Sequence, residues 1–251
     1  METPEEQQVV IADVIDTLTA PEILRWALGQ FHPRIAFASS FGAEDVVLID
    51  MLARIRPDAR IVTLDTGRLH EETYDVMERI RQRYGVRIES VFPEHTAVER
   101  LEREKGLYSF RSSIPDRVEC CRIRKVEPLK RALAGLEAWI TGLRRQQSVT
   151  RGAVVKVEAD PMFGLLKINP LADWSEEQVW EYIRQHDVPY NALHDRGFPS
   201  IGCSPCTRAV APGENARAGR WWWEQPDSKE CGLHTLKGSA ENVPTPQASA
   251  E

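Results

Sequence analysis

Between Arg34 and Phe92 strand-like and helix-like periods alternate. The β-favouring run Arg34-Ile35-Ala36-Phe37-Ala38-Ser39 gives way at Ser40-Phe41-Gly42 to helix-spaced apolar residues from Ala43 to Ile55. Arg60-Ile61-Val62-Thr63-Leu64 gives way at Asp65-Thr66-Gly67 to a second helical segment, Glu71 to Tyr84, closed by Gly85, and a third strand runs from Arg87 to Phe92. Strands that alternate with amphipathic helices require right-handed crossovers, and those produce a parallel sheet. The predicted fold class is therefore α/β, a mostly parallel sheet with flanking helices. Ser39–Gly42 and Asp65–Gly67 both fall where a strand ends, which should bring them together on the sheet edge where such folds bind ligands.

The remaining segments hang on that frame. Val9 to Leu28 reads as a helical preamble broken at Ala20-Pro21, and Lys105 to Glu119 has no clear period. Cys120 to Leu136 reads as a helix with Val126, Leu129 and Leu133 on one face and the two cysteines at its start. Ala138–Gly142 and Leu165–Leu171 are expected strands, and Trp174 to His186 a helix capped by Ser175. From Pro189 the chain is expected to form loops around Cys203 and Cys206. We expect one domain over residues 1–237, with the preamble at about 1–30, a mobile segment at about 224–237 carrying Cys231, and a disordered tail, 238–251, that has almost no large apolar residue.

A formal net charge of −6 over 251 residues argues against a protein that lives on bulk nucleic acid or on an anionic membrane. No window has the apolar length of a membrane span, and Met1–Gln8 is acidic and polar, so the expected address is the cytoplasm. Thiols are kept reduced there, which makes paired cysteines better candidates for metal ligands or redox groups than for disulfides. The five cysteines divide as four plus one. Cys120 and Cys121 are adjacent, Cys203 and Cys206 enclose Ser204-Pro205, and Cys231 stands alone in a polar segment. The two pairs suit zinc, an iron–sulfur cluster, or each other. Adjacent cysteines with no spacer point in different directions, which favours a [4Fe–4S] cluster over one tetrahedral ion.

Ser39-Ser40-Phe41-Gly42 has small hydroxyl residues and a glycine at a helix N-terminus, the ingredients of an anion site, without the lysine of a Walker loop. Arg144, Arg145 and Arg151 lie in a loop rich in hydroxyl and amide groups, and Arg217 and Arg220 precede Trp221-Trp222-Trp223. Guanidinium forks suit phosphate or sulfate. Cys231 has Glu230, Gly232 and His234 beside it, and a protonated histidine there would stabilise a thiolate. His70, His95, His186 and His194 read as surface or core residues.

Four stretches resemble one family closely, the assimilatory adenylylsulfate (APS) reductases within the wider APS and PAPS reductases. They are Cys120-Cys121-Arg122-Ile123-Arg124-Lys125, Ile201–Arg208, Gly219–Glu224 and Lys229–His234. The resemblance implies a fold similar to that of the ATP pyrophosphatases, with Phe41 where those enzymes tend to have glycine. It implies a [4Fe–4S] cluster on Cys120, Cys121, Cys203 and Cys206, and Lys125 between cluster and substrate. Arg151, Arg217 and Arg220 would act on the phosphosulfate, Ser39, Ser40 and Gly42 in the phosphate loop, and Cys231 as nucleophile. One thiol left after ligand counting cannot supply two electrons, so an external dithiol, thioredoxin or glutaredoxin, is expected beside adenosine 5′-phosphosulfate and a second copy of the chain. The same chemistry on 3′-phosphoadenosine 5′-phosphosulfate is the alternative, and a metal or iron–sulfur redox sensor without turnover is a reading of another class.

Overall fold

The short run Ile35–Ser39 (β1) is apolar almost throughout because it is covered on both faces and paired on both sides. The computed structural model describes residues 14–147 and 151–225, and Cys231, His234 and the expected tail lie outside the described residues. After the helix Ala20–Phe31 (α1), β1 leads into Ala43–Ile55 (α2), Ile61–Leu64 (β2), Glu71–Tyr84 (α3), Ile88–Val91 (β3) and His95–Lys105 (α4). Then come Ile114–Cys121 (α5), Glu127–Leu133 (α6), Ala138–Ile140 (β4), Val157–Asp160 (β5), Leu165–Ile168 (β6) and Glu176–Gln185 (α7).

The sheet order is β3-β2-β1-β4-β6-β5, parallel except for β5 against β6. From β1 the chain winds one way through β2 and β3 and the other way through β4 and β6. Ser39 stands beside Thr63, and Phe37 beside Ile140, so the loops after β1, β2 and β4 emerge on one edge, at the crevice where such sheets bind ligands. The main core fills the space between sheet and helices with Val46–Ile49 of α2, Ile23 and Leu24 of α1, and Ile183 of α7. Ser175 caps α7 as expected, accepting from the Gln178 N–H, and Gly85 ends α3 with φ +66°.

The preamble breaks where read: residues 14–17 are helical, Leu18 and Thr19 leave the helix, and α1 begins at Ala20-Pro21, since proline suits the first helical turn. Other expectations are corrected. The unassigned stretch contains α5, and Cys120 and Cys121 lie at the end of that helix rather than at the start of the next. The helical path then continues through a π turn, Arg122–Val126, into α6. The edge strand β5, Val-Glu-Ala-Asp, has no apolar alternation and takes its extended form from its pairing with β6.

Candidate active site

The loop between β1 and α2 is internally satisfied. Ser40 donates both its N–H (2.5 Å) and its hydroxyl (2.8 Å) to Asp45 Oδ2, and the Phe41 N–H donates to Ser39 Oγ (3.1 Å). Phe41 holds φ +58° with its ring buried in the core. That is the left-handed conformation glycine takes freely, so the loop keeps a glycine-like path while its aromatic ring anchors it. Burial pushes the Asp45 carboxyl up to about 6, with the Ser40 bonds opposing. The donors expected to meet an anion are thus turned toward an internal carboxylate, and anion binding falls more heavily on the basic side chains.

Those side chains converge on one cavity of about 270 Å³ at the carboxyl edge of β1, β2 and β4. Ser39, Ser40, Gly42, Lys125, Arg151, Arg217 and Arg220 all line it, as does Cys203. Lys125 reaches it from the π turn, which also leaves Ile123 and Arg124 buried. Arg151 Nη1 donates to Gln147 Oε1 (2.5 Å), and Gln147 donates to the Gly142 carbonyl after β4 (3.2 Å). Arg220 is buried, with its guanidinium 4.8 Å from the Trp221 ring and bonded to Ser200 Oγ and the Ile201 carbonyl. Gly202 makes room for it, since a Cβ there would collide with Nη2. Arg144, read as a candidate anion ligand, is instead paired with Glu44 at 2.7 Å.

Beside this cavity the four cysteines Cys120, Cys121, Cys203 and Cys206 share one buried cluster with Phe110, Ile123 and Trp221. None is in a disulfide. The Cys203-Ser-Pro-Cys206 turn is held by Ser204 N–H to the Arg68 carbonyl (2.8 Å) and by Trp221 N–H to the Cys206 carbonyl (3.0 Å). Burial alone would raise the Cys203 thiol, but Lys125, the Thr66 hydroxyl at 3.3 Å, Arg220 and Arg124 hold it below its ordinary value. Cys206 is pushed up to about 12 by burial and by the neighbouring thiols. Among the described residues, no group of three or more His, Cys, Asp or Glu side chains is arranged to hold a metal ion. The donor chemistry nonetheless fits a larger thiolate-bound group. Four reduced sulfurs share one apolar compartment with a hydroxyl and three cations at hand, and ionising several of them there calls for a polycationic partner.

His194 is a cavity residue that its loop sequence did not reveal. It lines the same space, edge-on to Trp180 at 5.1 Å.

A profile of the phosphoadenosine phosphosulfate reductase domain matches residues 34–209. The chain is 58% identical over 200 residues to the adenosine 5′-phosphosulfate reductase of Allochromatium vinosum, covering 80% of this chain and 78% of that one. It is 53% identical over 207 residues to the enzyme of the same name from Burkholderia cepacia, covering 82% and 83%. Among solved structures, the phosphoadenylyl-sulfate reductase of Candida auris superposes with a TM-score of 0.71 at 29% identity, covering 84% of this chain and 98% of that one.

Proposed function

Because the chain belongs to the phosphoadenosine phosphosulfate reductase domain family, we propose that it reduces adenosine 5′-phosphosulfate to sulfite and AMP in sulfate assimilation. The observation that carries this is the convergence of Lys125, Arg151, Arg217 and Arg220 on one cavity at the sheet's switch point, beside a reduced thiol cluster. Relatives above 50% identity named for the substrate without a 3′-phosphate favour that substrate over its 3′-phosphorylated form.

In this reading the apolar wall of Val62, Leu64, Leu129 and Trp139 takes the adenine, and the cations neutralise the phosphosulfate so that an anionic nucleophile can approach. The Cys231 thiolate attacks the sulfate sulfur. An S–S bond forms, the S–O bond to phosphate breaks, and AMP leaves with its electron pair. The product on the protein is S-sulfocysteine. An external dithiol of the thioredoxin or glutaredoxin kind then attacks Cys231 Sγ, sulfite departs with the S–S pair, and the donor's second thiol closes a disulfide that frees Cys231. Two electrons have then passed from dithiol to sulfur. The thiols of Cys120, Cys121, Cys203 and Cys206 would hold a [4Fe–4S] cluster, which when bound supplies a structural tie and a local field beside the substrate. We assign the protein to the cytoplasm, where such thiols stay reduced; no helix among the described residues is long and apolar enough to cross a membrane.

The test separates the half-reactions. The anaerobically purified protein is incubated with adenosine 5′-phosphosulfate and no reductant. It should release one equivalent of AMP and carry a sulfonate mass on the Cys231 peptide, with sulfite appearing only when thioredoxin is added. Cys231→Ser should bind nucleotide and give neither product. Turnover by that variant, or a sulfonate on one of the paired cysteines, overturns the assignment of the nucleophile. Equal turnover of the 3′-phosphorylated substrate overturns the substrate choice.

A further inference from the structure

The loop after β4 holds two arginines by acceptors of different kinds. Arg144 gives Nε (2.8 Å) and Nη2 (2.7 Å) to the Glu44 carboxylate and Nη1 to the Trp174 carbonyl (3.3 Å), and its side chain is 5% exposed. A carboxylate so close and so buried cancels the charge that it holds, and Arg144 serves the fold although it borders the cavity. Arg151 instead gives Nη1 to Gln147 Oε1 (2.5 Å), the oxygen of a neutral carboxamide. Such an acceptor fixes the direction of a guanidinium and adds no opposing charge.

Gln147 is itself well fixed. It ends the single 3₁₀ turn Arg145–Gln147, which Arg145 fastens through its N–H to the Ala172 carbonyl (3.0 Å) and through Nε to the Val154 carbonyl (2.7 Å). The carboxamide uses both of its ends: Nε2 donates to the Gly142 carbonyl (3.2 Å), and Oε1 accepts the Arg144 N–H (3.2 Å) besides Arg151. Its orientation is set by these partners, since a reversed amide would turn its N–H groups toward two donors and its oxygen toward a carbonyl. One side chain thus links the end of β4, the backbone of the following turn and a cation of the cavity wall.

Resting on the proposed function above, we propose that Gln147 is a positioning residue that aims Arg151 at the phosphosulfate without cancelling its positive charge. An arginine ordered before the ligand arrives gives up less side-chain freedom on binding, and one held by a neutral group keeps its attraction for an anion.

The test is a calorimetric titration with adenosine 5′-phosphosulfate in the Cys231→Ser protein, which has no nucleophile to consume it. Gln147→Met keeps the length of the side chain and removes its three hydrogen bonds. It should weaken binding about tenfold, the scale of one lost charge-assisted bond. Gln147→Glu should weaken binding about a hundredfold, because a carboxylate then pairs with Arg151 and repels the phosphosulfate. Arg151→Ala should weaken binding by itself, and adding Gln147→Met to it should cause no further loss, as for two residues that act as one unit. The same tenfold loss from Gln147→Met with and without Arg151 overturns the proposal, since the amide would then act on the nucleotide or on the fold. So does undiminished binding by Arg151→Ala, or a Gln147→Glu affinity no weaker than that of Gln147→Met. Failure of the Cys231→Ser protein to bind the nucleotide at all removes instead the functional reading, and with it the site that Gln147 serves.

Discussion

A carboxyl group that folding removes from water titrates later than it does in the unfolded chain when loop donors offset only part of the burial, and Asp45 is such a group. Its folded pKa of about 6 lies above the ordinary carboxylate value, so between about pH 4 and pH 6 the folded chain keeps a proton that the unfolded chain has released. The sign follows: this residue's contribution is fully present below that window, is lost as pH rises through it, and is level above. Its size is on the order of 3 kcal/mol. Asp45→Asn keeps an acceptor for Ser40 and does not ionise. Its unfolding free energy by urea should therefore gain on that of the unaltered protein as pH rises from about 4 to 7, and a constant difference between the two would show that Asp45 does not titrate there. Little of this was legible in the sequence. Ser39, Ser40 and Gly42 were read as an anion loop from their types, whereas Ser40 bonds its own helix's third residue, Asp45, and Ser39 accepts from the Phe41 N–H. His194 escaped for a related reason: its burial depends on Asn191 meeting Thr73, 118 positions away, and no local period carries that contact.

At the scale of elements, the sequence announces what has a period and hides what depends on a neighbour. The three leading strands and α2, α3 and α7 were legible because their apolar residues recur at strand or helix spacing. The edge strand β5 and the π turn between α5 and α6 were not. That wider turn resets the phase of the helix, so that Cys120 and Cys121 face the Cys203 turn while Lys125 reaches the cavity. The crossing of β4 and α2 is equally tight, since a Cβ on Gly142 would run into Asp45 Oδ1 and come within 3.2 Å of Glu44 Cβ. Gly142→Ala must push the start of α2 out of place. It should lower stability by roughly 1–3 kcal/mol, as overpacking does, and weaken AMP binding, because Ser40 and Gly42 move with that helix. Unchanged calorimetric affinity for AMP would mean that the loop and β4 adjust independently.

The whole molecule is a large sheet core with a small thiol compartment fastened to it by long-range contacts. Within that compartment α5 is tied to the segment after the three tryptophans by the pair of Arg117 and Glu224, 107 positions apart and 2% and 4% exposed, joined through Nε–Oε1 (2.9 Å) and Nη2–Oε2 (3.0 Å), with Arg117 also 4.8 Å from the Trp221 ring. Glu224→Gln removes a counter-charge from a buried guanidinium and should destabilise the protein by about 3–5 kcal/mol in urea unfolding. Arg117→Met combined with Glu224→Leu should restore much of that loss, since paired apolar groups need no compensation. A double variant no better than Glu224→Gln would show that the pair is held for its hydrogen bonds rather than its charge.

That buried pair also decides where the last part of the chain departs. Cys231 follows Glu224 by seven residues, a covalent reach of at most about 25 Å whatever path the chain takes. For the proposed chemistry that bound keeps the Cys231 thiol near the start of the segment whose Arg220 and Trp221 line the cavity. Attack on the bound phosphosulfate is then a unimolecular event, whose rate per chain does not depend on how dilute the protein is, while the later encounter with the dithiol donor remains second order.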